Sequence, residues 1–247
     1  MARLFLPLPE WDNKLMGNLC DRIYRLAEPY WATRKNELHV PCSYDFARRL
    51  LGFYPSADKD IILPAVLLHD VGWKMVPAEK QRDAFGPEVK DHETRRFHET
   101  EGVRIAREIL ASLAFDKGKT IEILSIIDGH DTRKEPLSLN DRLVKDADKL
   151  WRFTPSCVKI AHRHFGFELG EYLDWLADRI EEWFFTPEAK ALAREALSAE
   201  PSHAGLQIAL AEALTAAGNA TEAVPVQSAE RPGPAEPVAL VGPVAES

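Results

Sequence analysis

The stretch Ile61-Ile62-Leu63-Pro64-Ala65-Val66-Leu67-Leu68-His69-Asp70 decides the reading of this chain. An unbroken apolar run leads directly into a histidine and a carboxylate. At the end of a helix built from such a run, the two polar side chains form a chelating pair at the edge of the core. Apolar packing fixes their direction, and burial leaves them few partners except a metal ion or each other. The dipeptide alone is a weak signal. Its weight comes from His39, His98, His130 and Asp148, each at the edge of an apolar helical pattern.

Working outward, helical periodicity dominates and period-two strand patterns are nearly absent. An all-α bundle is the expected fold class. Leu15, Leu19, Ile23 and Leu26 predict a helix over about 11–31, and Phe46, Leu50 and Leu51 one over about 43–53. The apolar run itself predicts a helix over 58–70. The polar segment Pro77–Asp91, broken by Gly86-Pro87, reads as a loop or lid. Further helices are expected over 93–114 and 119–130, then from Ser138 to Phe153, then over 155–164, 169–185 and 187–199. On the 93–114 helix Val103, Ala106, Ile109, Leu110 and Leu113 face inward, and Trp151, Trp175 and Trp183 read as core packing. The domain division expected is one helical domain over 1–200, a possible short helix within 201–218, and a disordered Ala/Pro-rich tail over 219–247.

Composition narrows the function classes. The net charge of −8 disfavours nucleic acid and anionic membrane as partners. No apolar run approaches the roughly 20 residues of a membrane span. Cys20, Cys42 and Cys157 are scattered and odd in number, so a disulfide framework or thiolate zinc site is not expected and a reducing, cytoplasmic setting fits. The opening Met1–Pro9 is too short and proline-broken for a signal peptide.

A divalent ion needs imidazole nitrogens and carboxylate oxygens converging from several elements. Here the candidates recur at intervals of one helix plus one connection, so a bundle could deliver one ligand per helix to a common centre. His130 follows Ile123, Ile126 and Ile127 on an apolar stripe. Gly102, four residues past His98, leaves room for close helix approach or for a ligand. Both Asp146 and Asp148 have mixed helical neighbours, which leaves the choice between them open.

The order His39, His69-Asp70, Asp148 resembles the H…HD…D signature of the HD-domain superfamily of metal-dependent phosphohydrolases. ILPAVLLHDVGW, RFHETEGVRIAREIL, SIIDGHD and RLVKDADKLWRF are similar to that family's successive helices, over about residues 37–165. The resemblance implies Asp148 as the ligand rather than Asp146. It also aligns His98 and His130 with the extra histidines of two-metal members. The implied metal set is His39, His69, Asp70, His98, His130 and Asp148, holding one or two divalent ions (manganese, iron, magnesium, cobalt or nickel). Asp70 would be the catalytic bridge between them. Where some members carry a lysine three residues after the HD aspartate, this chain has Trp73, with Lys74 beside it.

Lys74, Arg133 and Lys145 lie near the ligands in sequence and are candidate substrate-binding cations. The expected activity is hydrolysis of a phosphoester on a small metabolite or nucleotide. The same ligand set in a minority of HD proteins holds two irons and activates oxygen, so a di-iron oxygenase acting on a small organic or organophosphonate substrate is the alternative. A binding module that has lost activity is the third reading. The oligomeric state is left open.

Overall fold

The computed structural model describes residues 19–198. Ten α-helices and no strand occur among them. Residues 1–18 and 199–247, which include the possible helix within 201–218 and the expected tail over 219–247, lie outside the described residues.

Helix α1 (Leu19–Ala27) leads through a 3-10 turn to α2 (Asn36–Leu51), which begins earlier than the periodicity suggests. Pro41 is the sixth residue of α2, beyond its first turn, so the helix forgoes one backbone hydrogen bond there. The apolar run forms α3 (Lys59–Leu68), capped by Asp58, whose side chain accepts from the Asp60 amide. A 3-10 segment, Val71–Met75, turns the chain into the lid region, where α4 (Ala78–Gln81) and a short 3-10 turn replace the expected plain loop.

Asp91 caps α5 (His92–Ser112) and Asp116 caps α6 (Lys117–Ile127). Ser138 caps α7 (Leu139–Leu150), as its sequence context suggests. Thr154 caps α8 (Pro155–Phe165), and a Glu168/Glu171 capping box starts α9 (Leu169–Trp183). Helix α10 (Pro187–Ser198) follows.

The core gathers on α3, which packs against α1, α2, α6 and α7. Ile62, Leu67, Leu68, Ile105, Leu110, Ile123, Ile126, Leu143 and Val144 are fully or almost fully buried there. On α5 the inward residues Ala106, Ile109 and Leu110 are buried, and Val103 and Leu113 pack partly buried against the same core. Trp151, Trp175 and Trp183 are likewise partly buried against it.

The segment Val71–Met75 lies directly on α5. A Cβ on Gly72 would come within 1.9 Å of the His98 carbonyl oxygen and 2.4 Å of the Gly102 nitrogen. Gly102 in turn faces Gly72 and the His69 carbonyl, so its missing side chain serves helix approach rather than a ligand. Among the described residues no single helix is long and apolar enough to cross a membrane.

Candidate metal centre

Each candidate side chain is placed by a different element. His39 lies one turn into α2, whose entry is set by two consecutive left-handed residues, Arg34 (φ 52°) and Lys35 (φ 63°). Such backbone is costly for residues other than glycine, and it is found where surrounding structure over-determines it. His69 is the C-terminal cap of α3, and Asp70 follows in the bend before Val71. His98 projects from α5 and Asp148 from α7, both buried.

His130 departs from expectation. Helix α6 ends at Ile127, so His130 is not on its stripe. Gly129 (φ 139°) turns the chain, and the imidazole folds back so that Nδ1 reaches the Ile127 carbonyl at 3.0 Å. Backbone of that kind favours glycine, which is why the helix stops there.

The ring orientations share one logic. A carbonyl can only accept, so Nδ1 of His69 donates to the Val66 carbonyl (2.7 Å) and Nδ1 of His130 to that of Ile127. This leaves the Nε2 lone pairs facing inward, the tautomer a metal ligand needs. Nδ1 of His39 lies 3.5 Å from Ser43 Oγ.

The inward atoms converge. His39 Nε2 is 3.0 Å from His69 Nε2 and 3.2 Å from Asp148 Oδ1, with His69 Nε2 3.6 Å from that oxygen. Asp70 Oδ2 stands 3.5 Å from His39 Nε2, and Asp70 Oδ1 3.7 Å from His69 Nε2. Ligands about 2.1 Å from one ion stand about 3.0 Å apart at right angles and about 3.4 Å apart in a tetrahedron. The observed separations, 3.0 to 3.7 Å, begin at those edges and run slightly beyond them.

A second cluster adjoins the first. His98 Nε2 and His130 Nε2 are 3.3 Å apart, and Asp70 Oδ1 is 3.4 Å from His130 and 3.9 Å from His98. The groups His39/His69/Asp148 and His69/Asp70/His130 could each hold an ion, as could His98/His130/Asp131.

Electrostatics point the same way. Burial pushes His39 below its ordinary value, although Asp148 and Asp70 pull it upward. Burial acts on His69 too, but there Asp70, Asp148 and the Val66 carbonyl outweigh it and carry the group up to about 9. The two facing nitrogens therefore share a single proton. Burial, with His130 adding to it, pushes His98 down to about 3. Burial also works against the Asp70 and Asp148 carboxylates, yet the facing histidines, with Lys149 beside Asp148, hold both far below the usual range. Anionic carboxylates facing imidazoles, with His69 giving up its inner proton to the incoming ion, are the donor set for a divalent cation.

The structure treats the three candidate substrate cations differently. Lys74 is exposed. Lys145 is buried, and its amine donates to the carbonyls of Gly129 (2.7 Å), His130 (2.8 Å) and Arg133 (3.1 Å), which shapes the His130 turn. Arg133 donates to the Ser125 and Asp128 carbonyls and to Asp141. Both of the latter are structural fastenings here.

Other residues enter the site without having been read from sequence. Trp73 is wholly buried, donates from Nε1 to Asp70 Oδ1 (3.1 Å) and stacks on His98 at 4.0 Å between ring centroids. Across Trp73 lies the Arg34 guanidinium, 3.7 Å from the Trp73 ring centroid and 4.0 Å from that of Phe85 in the lid region. Arg34 Nε is buried with no hydrogen-bond partner among the described residues. Glu99 is buried and accepts from the amides of Asp131 and Thr132, each at 2.9 Å. Asp146 faces away from the centre and accepts from the Phe185 and Thr186 amides and the Thr186 hydroxyl, so Asp148 alone of that pair reaches the histidines.

With this geometry in hand, the comparison is direct. Residues 42–152 match the family described as HD domain, so that stretch is similar to the HD domain. His69, Asp70, His98, His130 and Asp148 fall inside the matched stretch, and His39 lies just ahead of it. The HD domain is an all-α fold of a superfamily of metal-dependent phosphohydrolases. No curated protein and no solved structure matches the chain.

Proposed function

We propose that this protein is a divalent-metal-dependent phosphohydrolase acting on a small phosphorylated molecule, a metabolite or nucleotide. The observation that carries the reading is the convergence of His39, His69 and Asp148 with Asp70 close to the edge lengths of a coordination shell. Bound divalent ions supply a water nucleophile at neutral pH and positive charge for a phosphoryl oxygen.

The chain's own residues do the rest. The α2, α3 and α7 side chains fix the donors before any ligand arrives, so little reorganisation is needed at the moment of reaction. Trp73 orients Asp70 through its indole N–H and excludes water from the face of His98. Arg34, held against the rings of Trp73 and Phe85, offers an unspent Nε donor beside the centre, and Asp70 and Asp131 partly offset the burial that lowers its pKa. A phosphoryl oxygen is the natural partner for such a guanidinium. Arg34 is the substrate cation this reading favours over Lys145 and Arg133, whose donors are already taken.

The test is hydrolysis of a generic phosphoester by the full chain with added manganese. Wild-type protein should hydrolyse it, and Asp70→Ala and His69→Ala should each lose the activity. Hydrolysis retained in either variant contradicts the proposal.

The two adjoining clusters support one further reading, a di-iron oxygenase, because imidazole and carboxylate donors suit iron as well as other divalent ions. Metal analysis and an absorption spectrum of aerobically purified protein separate the two. Tightly held iron with a visible charge-transfer band, and no phosphoesterase activity, would select the oxygenase.

A further inference from the structure

We infer that Asp131 is a ligand of a second divalent cation, forming with Asp70, His98 and His130 a half-site built like the first. The inference rests on the metal reading above and goes beyond the resemblance, whose H…HD…H…H…D order has no place for this residue.

The two half-sites match atom for atom in plan. In the first, Asp148 Oδ1 faces two imidazole nitrogens while Oδ2 accepts from Lys149 Nζ at 2.5 Å. In the second, Asp131 Oδ2 stands 3.8 Å from His98 Nε2 and 3.9 Å from His130 Nε2, while Oδ1 accepts from the same Lys149 Nζ at 2.9 Å. One ammonium thus joins the two outer carboxylates, and Asp70 lies between the two histidine pairs.

Asp131 is also held at every other handle. Its Oδ1 is 3.3 Å from Arg95, its carbonyl accepts from Arg95 at 2.8 Å, and its amide donates to buried Glu99. A carboxylate present only to pair with Lys149 and Arg95 would offer both oxygens to them. Here one oxygen takes the cations and the other turns to the imidazoles. Asp131 is partly buried, and a cation between its free oxygen and the two imidazole nitrogens would bring the three donors together.

The experiment is a titration of the metal-free full chain with Mn(II), read by calorimetry and by elemental analysis after gel filtration. Wild-type protein should take up two manganese ions per chain. Asp131→Asn, nearly the same shape, should take up one, with the first step unchanged. Asp131→Ser, which has no amide to disturb the His98–His130 pair, should behave the same way, and circular dichroism checks that each variant is folded. Two ions at wild-type affinity in a folded variant would overturn the inference. So would a single ion in the wild type, which leaves the hydrolase reading standing. No manganese at all in the wild type would remove both.

Discussion

His39 and His69 bring their Nε2 atoms to 3.0 Å and share the Asp148 carboxylate. The chemistry of this protein begins with that pair, since two ring nitrogens so placed need a proton or a metal ion between them. Beside it, Arg34 occupies strained backbone with a buried, unpartnered Nε. Replacing it by lysine keeps the charge but loses the planar fork. Arg34→Lys should raise KM for a phosphoester about tenfold while leaving kcat and manganese content near wild type, because the lost contact is made equally before and during reaction. Steady-state kinetics with parallel metal analysis checks this. Residues of this kind differ in how far the sequence revealed them. His39, His69, Asp70, His98, His130 and Asp148 stood out because histidine and aspartate beside apolar stripes are rare without a partner. Arg34 and Lys149 did not, since basic residues near helix ends are common and their burial is a tertiary fact. Asp131 carried a readable signal that went unused: His130-Asp131 repeats the His69-Asp70 dipeptide.

Helices position these atoms by close approach. The Val71–Met75 segment presses onto α5 only because Gly72 has no side chain, with the His98 carbonyl 1.9 Å from where a Cβ would sit. Both neighbours of that Cβ are backbone, so neither can swing aside. Gly72→Ala should cost about 3 kcal/mol of stability by urea denaturation, at the upper end for overpacking. It should also weaken manganese binding by displacing Asp70 from His98. At the far side of α7, Asp146 fastens the start of α10 through three donors on Phe185 and Thr186. Burial, the largest influence, pushes its carboxyl from 3.8 up to about 6 despite those donors. A carboxyl raised on folding gives stability that is complete below its unfolded value and is lost as pH climbs through its folded value. Relative to Asp146→Asn, the wild type should therefore lose stability between about pH 4 and about pH 6 and run parallel above. Chemical denaturation of both proteins across that range measures it, and a constant difference would contradict it. The elements themselves were largely legible: caps at Asp91 and Ser138 and the apolar period of α5 and α7 are local signals. The end of α6 was not, because Asp128-Gly129 is compatible with one more helical turn until the backbone is seen to leave it. The early start of α2 depends on Arg34 and Lys35 adopting left-handed backbone, which their side chains do not advertise.

For the whole molecule, the centre acts as a cross-link. Its donors come from α2, the end of α3, α5, the turn after α6, and α7, so a bound ion ties together elements that are distant in the chain. A ligand that binds only the folded state stabilises it by mass action, by about 2.7 kcal/mol at a hundred times its Kd. Removing metal with a chelator should lower the thermal midpoint by several degrees, and excess manganese should restore it. The same treatment should leave His69→Ala nearly unmoved. Differential scanning calorimetry of both proteins tests this. The all-α architecture followed from periodicity and from the missing strand signals, whereas the meeting of five separate segments at one point was implied by the resemblance and not by any local pattern. The most direct test of the central claim is anomalous diffraction at the manganese edge from crystals grown with Mn(II). An anomalous peak within about 2.3 Å of the Nε2 atoms of His39 and His69 and of an Asp148 oxygen is the predicted result. Ordered side chains with no peak among them at saturating manganese would contradict the account.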